Sequence, residues 1–157
     1  MNTGTWKTYA FWILLAEGVG ALSGWLTRDG MEVYKEELTK PFLSPPGIVF
    51  PIVWVILFAL MGLGAARISL SRTSRERMQA LGLFLLQLAF NFFWSIFFFN
   101  FQWFGFALSW LVVLWILILW MTLLFYRVDR PSAWMQIPYL LWVAFAGYLN
   151  LGVWMLN

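Results

Sequence analysis

Five long apolar segments alternate with short polar segments along the chain. The apolar segments cover about residues 6–27, 48–69, 78–99, 105–126 and 133–156. Each is close to the ~20 residues that an α-helix needs to cross a bilayer. Because backbone polar groups in lipid must be hydrogen-bonded within the chain, each segment is predicted to be helical. The pattern predicts an all-α integral membrane protein, with five transmembrane helices forming one domain over residues 1–157.

The first apolar segment also has features of a secretory signal peptide. Lys7 precedes an apolar stretch that is followed by small residues, which is the order expected of such a leader. The hydrophobic stretch nevertheless continues past Val19 to Trp25 and so reaches spanning length. We therefore interpret residues 6–27 as a retained first helix.

The longest polar segment, residues 28–45, is the first loop. It contains the charged residues Arg28, Asp29, Glu32, Lys35, Glu36, Glu37 and Lys40. A segment with this charge does not lie in lipid, so we expect an aqueous or interfacial loop. Met31, Tyr34 and Leu38 recur at helical spacing, which predicts a short amphipathic helix over one end of the membrane domain.

Lysine and arginine are distributed unevenly between the two ends of the predicted bundle. Seven lie at the end that holds the amino terminus, whereas only Arg28, Lys35 and Lys40 lie at the opposite end. Cytoplasmic loops carry the excess of these residues in multi-pass proteins. The distribution predicts a cytoplasmic amino terminus, with the first loop and the carboxyl terminus outside.

The amino-acid composition supports the membrane assignment and excludes several kinds of catalytic and metal site. Apolar residues make up 62% of the chain and aromatic residues 21%, but charged residues only 11%; a soluble domain averages about 25% charged residues. The chain has no cysteine or histidine, which excludes disulfides, thiol catalysis, histidine metal sites and Ser-His-Asp triads. We expect no metal. The net charge of +3 gives no basis for a nucleic-acid partner.

Polar and aromatic residues share faces on three of the predicted helices. The third helix has Gln87, Asn91, Trp94 and Phe98 on one face, the fifth has Pro138, Tyr139, Trp142, Ala146 and Asn150, and the second has Pro51, Trp54, Phe58 and Ala65. Amides facing lipid would be costly, so these faces are predicted to point into the protein or into a cavity.

The residues on these faces are consistent with two interpretations. In the first, the amides bridge helices while the tryptophans fill the core or the membrane interface. In the second, the three faces line an aromatic cleft with a few fixed polar groups. Such a cleft suits a large, flat, mostly apolar ligand with polar edges.

Glu17 is the one carboxylate inside a predicted span. An ionisable group in a membrane helix is a functional hypothesis by default, here a switch that responds to a proton or ligand. The alternative is a protonated or hydrogen-bonded side chain near a helix end. Glu17 shares a face with Gly20, Ala21 and Gly24, and this small-residue face is predicted to pack closely on another helix.

Three motifs, in the same order along the chain, resemble those of the TspO/MBR family of tryptophan-rich sensory proteins and mitochondrial translocator proteins. They are Lys40-Pro41, Pro45-Pro46, Val49-Phe50-Pro51 and Trp54 around the start of the second helix, Gln87-Leu88-Ala89, Asn91 and Trp94 in the third, and Pro138-Tyr139-Leu140, Trp142, Ala144-Phe145-Ala146 and Leu149-Asn150 in the fifth. The resemblance extends over nearly the whole chain.

The resemblance implies a five-helix bundle in a bacterial cell membrane, whose first loop, residues 28–45, forms a lid over a ligand pocket. Family members bind tetrapyrroles such as protoporphyrin IX and often form homodimers. The implied ligand-binding residues, taken together with the shared faces, are Tyr34, Pro51, Trp54, Asn91, Trp94, Phe106, Tyr139, Trp142, Ala146 and Asn150. Phe106 stands where some relatives have tryptophan. No further cofactor is implied.

The resemblance leaves three activities open. The chain is expected to bind a tetrapyrrole as a receptor or sensor-like protein; the alternatives are light-dependent porphyrin degradation, with Trp54 and Trp142 as candidate catalytic residues, and transport of porphyrins or other lipophiles. Sterol binding at the fifth helix is not expected, because no lysine or arginine follows Tyr148. A sterol-type pattern around Tyr126 and Arg127 is a weak signal.

Overall fold

The computed structural model describes residues 3–157, and all of its regular structure is helical. The helices are α1 Thr3–Leu26, α2 Arg28–Glu36, α3 Val49–Ser69, α4 Arg75–Ser95, a π-helical turn Ile96–Asn100, α5 Phe104–Val128, α6 Arg130–Trp134 and α7 Ile137–Leu156. Five helical segments, with α6 and α7 counted as one, are long and apolar enough to cross a membrane. The predicted all-α class and five spans are therefore confirmed.

The five long helices pack in a ring with the order α1, α3, α7, α5 and α4, and α4 closes the ring on α1. The outward surfaces carry exposed aliphatic side chains such as Leu14, Ile116 and Leu123. Polar residues instead lie between the helices, with Gln87 and Asn150 completely buried. This distribution matches a protein whose solvent is lipid, because polar groups are satisfied inside and apolar groups cover the outside.

The fifth predicted span is interrupted near its start, at the end of the bundle opposite the lid, by a short helix. Asp129 caps α6 by accepting hydrogen bonds from the backbone N–H and hydroxyl of Ser132, at 3.3 and 2.5 Å. Pro138 lacks an N–H and its ring would clash with a preceding turn, so the helix restarts with this proline in its first turn. The Arg67 guanidinium of α3 bonds Asp129 at 2.8 Å and holds the pKa of that carboxyl below its usual range.

The lid, residues 28–45, consists of the predicted amphipathic helix α2 and a following extended segment. Gly30 lets α2 approach the π-helical turn that follows α4, since a Cβ atom there would lie 2.4 Å from the Phe99 carbonyl oxygen. Lys40 donates to the carbonyls of Tyr34 and Leu38, at 3.0 and 3.3 Å, and so satisfies acceptors near the end of α2. The lid therefore has a defined conformation above the bundle.

The carboxyl end of α7 fixes the second half of the lid. The Asn157 side chain accepts from the Thr39 N–H at 3.0 Å and donates to the Thr39 carbonyl at 2.7 Å. The Tyr148 hydroxyl donates to the Phe42 carbonyl. Pro41 lies against Gly152, where a Cβ atom would come within 2.4 Å of its ring. Helix α7 thus both spans the bundle and holds the lid.

Gly62 is required where α1 and α3 cross. A Cβ atom at this position would lie 2.5 Å from Ile13 Cα and 2.7 Å from the Trp12 carbonyl oxygen, and backbone atoms cannot move aside cheaply. We predict that Gly62→Ala lowers the free energy of unfolding by about 1–3 kcal/mol through overpacking. Thermal unfolding in detergent, followed by circular dichroism, measures the effect.

Gly82→Ala provides the matched control for this substitution. Gly82 lies inside α4, and a Cβ atom there would meet nothing within 4 Å. The control should unfold at or slightly above the temperature of the unchanged chain. Equal melting temperatures for the two alanine variants would contradict the assignment of Gly62 as a close-contact position.

Candidate ligand-binding cavity

A cavity of about 430 Å³ lies beneath the lid between α1, α3, α4 and α7. Its volume is within the range of small-molecule sites in proteins. The cavity lies between the helices whose shared faces were singled out in the sequence, and α1 and α2 complete its wall. It is a place where the molecule could hold a ligand between its helices.

Most of the predicted ligand-binding residues line this cavity. They are Tyr34, Pro51, Trp54, Asn91, Trp94, Trp142, Ala146 and Asn150. They come from the lid helix and from three transmembrane helices that are distant in sequence. The structure therefore brings together the side chains that the shared faces and the family motifs had grouped.

Tyr139 lies behind the cavity wall rather than on it. Its side chain is only 1% exposed, and its hydroxyl accepts from Asn91 Nδ2 at 2.7 Å and donates to Gln87 Oε1 at 2.6 Å. This chain of hydrogen bonds joins α4 to α7 and satisfies two amides that would otherwise be costly to bury. Tyr139 thus fixes the position of Asn91, which does line the cavity.

A second polar connection supports the upper part of the wall. Trp94 Nε1 donates to Asn150 Oδ1 at 3.0 Å, and Asn150 Nδ2 donates to the Phe104 carbonyl at 2.8 Å. Three helices are linked in this way, because these residues belong to α4, α7 and the start of α5. Asn91 and Asn150 thus both make hydrogen bonds between helices as well as lining the cavity.

Two tryptophans present large aromatic faces to the cavity. The rings of Trp54 and Trp142 lie 6.4 Å apart at an interplanar angle of 89°, and Phe50 packs against Trp142 at 5.9 Å. The indole N–H of Trp142 is buried and has no hydrogen-bond partner within residues 3–157. The indole ring of Trp142, rather than its N–H, is therefore the part of the side chain that contributes to the cavity wall.

Phe106 does not line the cavity. Its side chain is 50% exposed and packs against Phe97 at 5.0 Å on the outer side of the bundle. Phe104 occupies the inward position instead and contacts Phe98 at 5.1 Å. Two residues along a helix differ by about 200° in direction, so the position at which α5 begins determines which phenylalanine points inward.

Helix α1 contributes a wall that the shared faces of the other helices did not predict. Glu17, Gly20, Ala21 and Gly24 all line the cavity. Gly20 does pack closely on a helix, since a Cβ atom there would lie 2.5 Å from the Phe58 ring. A Cβ atom on Gly24 would meet nothing within 4 Å, so the predicted close packing holds at only one of the two glycines.

The lid places charged and phenolic groups at the mouth. Lys35 and Glu32 are 3.7 Å apart, and Arg28 donates to the Trp25 carbonyl at 2.6 Å. Tyr34 packs edge-on against Phe50 at 5.9 Å. Burial raises the pKa of the Tyr34 hydroxyl, while a hydrogen bond with Ser44 acts in the opposite direction; the phenol is therefore neutral at physiological pH.

The cavity combines apolar aromatic walls with a few polar groups. Within residues 3–157 there is no group of three or more carboxylate, histidine or cysteine side chains that could hold a metal ion. The available chemistry is aromatic contact, the amides of Asn91 and Asn150, and two carboxylates, Glu17 inside and Glu32 at the mouth. The structure thus defines a class of protein, a helical membrane protein with an aromatic cavity beneath a lid.

Comparison with known proteins identifies the family. The sequence profile of the TspO/MBR family matches residues 12–155. The chain is 37% identical over 151 residues to the tryptophan-rich protein TspO of Chlorobaculum tepidum, covering 96% of each chain. It is 37% identical over 123 residues to protein CrtK of Rhodobacter capsulatus, covering 78% of this chain and 77% of the relative.

The similarity extends to animals, with 34% identity over 155 residues to the translocator protein of Bos taurus, covering 97% of this chain and 91% of the relative. The chain belongs to the TspO/MBR family and is an integral membrane protein. This confirms the family resemblance carried by the three motifs.

The buried hydroxyl of Tyr139 gives a test of the wall. We predict that Tyr139→Phe lowers the free energy of unfolding by about 1–3 kcal/mol, because it removes the hydroxyl that pairs Asn91 Nδ2 and Gln87 Oε1 inside the bundle. Chemical or thermal unfolding in detergent measures the loss. Tyr126→Phe is the control, since that side chain is 46% exposed; equal losses in both variants would contradict the role of the network.

Proposed function

We propose that this protein binds a tetrapyrrole, such as protoporphyrin IX, in the cavity beneath the lid and acts as a receptor or sensor-like protein. The carrying observation is the perpendicular pair of Trp54 and Trp142, whose ring centres lie 6.4 Å apart in the cavity wall. Large aromatic faces suit a flat, conjugated, mostly apolar ring. Relatives named tryptophan-rich sensory protein support a sensing role.

The polar groups of the wall support the same ligand class. Asn91 and Asn150 are held by Tyr139 and Trp94, so the cavity has its shape before any ligand arrives. The amide side chains of Asn91 and Asn150 line the cavity beside the rings and supply its polar groups. A preformed site of this kind loses little side-chain freedom on binding, which favours affinity.

The proposal includes lipid and a second copy of the chain as partners. A lipophilic ligand would reach the protein from the bilayer, and family resemblance favours a homodimer, which light-scattering mass measurement in detergent would test. No additional cofactor enters the proposal. Sterol is left out because the residues after Tyr148 provide no basic side chain.

Porphyrin titration tests the proposal. Protoporphyrin IX should quench the tryptophan fluorescence of the detergent-solubilised protein saturably. Trp142→Ala should weaken binding about tenfold or more, equivalent to ~1.4 kcal/mol, because it removes an aromatic wall of the cavity. Absence of saturable quenching in the unchanged chain would refute the proposed function.

Trp120→Ala is the matched control for this titration. Trp120 is 55% exposed on α5 and is not among the cavity residues, so its removal should leave the dissociation constant unchanged. The same samples under illumination separate binding from degradation. If the porphyrin is lost no faster with the protein than in detergent alone, the protein only binds it. If the loss is faster with the protein and returns to the detergent rate in Trp54→Phe and Trp142→Phe, the protein degrades the porphyrin.

We propose that the protein lies in the bacterial cell membrane with its amino terminus in the cytoplasm. The excess of lysine and arginine at the end of the bundle opposite the lid supports this orientation. Because the chain has no cysteine, Thr73→Cys and Glu37→Cys each introduce a single thiol. An impermeant maleimide should label position 37, but not 73, in intact spheroplasts; the reverse would contradict the orientation.

A further inference from the structure

Glu17 lies at the floor of the cavity, at the end farthest from the lid. On α1 it precedes the other cavity residues, and Thr27 at the mouth lies about 15 Å further along the helix. Phe58, Asn91 and Trp142 are the cavity residues farthest from the lid on α3, α4 and α7. The floor is thus made of one carboxyl group among aromatic and amide side chains.

No charged or titratable group of the other walls faces Glu17 at this level. The remaining charged or titratable residues that line the cavity are Arg28, Glu32, Tyr34 and Lys35, and all belong to α2 at the mouth. The lining residues of α3, α4 and α7 are uncharged. The lid cations are also engaged elsewhere, Arg28 with the Trp25 carbonyl and Lys35 with Glu32.

Glu17 has no hydrogen-bond or ion-pair partner within the described part of the chain. The nearest amide of the floor, that of Asn91, donates to Tyr139. A partly buried carboxyl group that lacks a partner loses hydration without compensation. A ligand that brings a positively charged nitrogen to the floor would supply the missing partner, and ionic attraction is stronger there than in water.

We propose that Glu17 is the specificity-determining residue of the cavity and selects flat aromatic ligands that carry a basic nitrogen. The protonated nitrogen donates a hydrogen bond to the Glu17 carboxylate at the floor while the aromatic ring lies against Trp54 and Trp142. A carboxylate at the same place is repelled, so the propionates of protoporphyrin IX would lie away from the floor. This inference rests on the proposed function of the cavity as a binding site for flat aromatic molecules.

Two matched porphyrins test the selection. They share one ring and differ in a single substituent, an aminopropyl group in one and a propionate in the other. Glu17→Gln should weaken binding of the aminopropyl porphyrin about tenfold, since hydrogen bonds to charged groups are the stronger ones, and should leave the propionate porphyrin unchanged or bound more tightly. The measured quantity is the ratio of the two dissociation constants.

Glu36→Gln removes the same charge elsewhere on α2 and is the control. Glu36 is exposed and does not line the cavity, so this variant should keep the ratio within about twofold of the unchanged chain, whereas Glu17→Asp, which retains the carboxylate, should preserve the preference. If Glu17→Gln also leaves the ratio within twofold, the proposal is overturned. If neither porphyrin binds to the unchanged chain, the proposed function fails as well.

A measurement on the unchanged chain avoids any effect of the substitution on folding. A hydrophobic carbodiimide should modify Glu17, and the modified peptide can be quantified by mass spectrometry. Saturating aminopropyl porphyrin should slow modification of Glu17 about fivefold or more, whereas the propionate porphyrin should protect it less. Equal protection by the two porphyrins, or none by either, would contradict pairing at the floor.

Discussion

The need to pair every buried polar group within the protein determines this structure. Lipid offers no hydrogen bonds, so the polar atoms of each span must find partners on neighbouring helices. The hydroxyl of Tyr139 joins two amides of α4 to α7, and the indoles of Trp110 and Trp115 donate to the carbonyls of Phe90 and Leu140, at 2.8 and 3.0 Å. Tryptophan therefore serves as a cross-link in this bundle as well as an apolar surface.

Those links also explain why a cavity persists at the centre of the bundle. Side chains that are held by directional bonds cannot move inward to fill space, and Trp94 is held to Asn150, which is held in turn to the start of α5. Small side chains then determine the dimensions of the cavity. Ala146 and Gly24 leave room beside the large aromatic rings, while Gly62 brings α1 and α3 together below.

Much of this arrangement could be predicted from the sequence, because helix length and helical spacing are local properties. The stripe of Asn91 and Trp94 is buried as expected. The outward direction of the Phe106 side chain could not be predicted from the sequence, because it depends on the residue at which α5 begins after the π-helical turn. The contribution of α1 to the cavity wall was also not predicted. Gly20 and Gly24 lie on the same face of α1, so the sequence treats them alike. Only the position of the Phe58 ring in the folded bundle makes Gly20 a packed glycine and leaves Gly24 facing empty space.

The double hydrogen bond between Asn157 and Thr39 has a consequence for the conformational entropy of the lid. These bonds hold its second half to α7 without any contribution from a ligand. The segment between α2 and α3 therefore loses its freedom when the bundle folds rather than when a guest binds. The cost of ordering it is met on folding and is not subtracted from the affinity of the cavity.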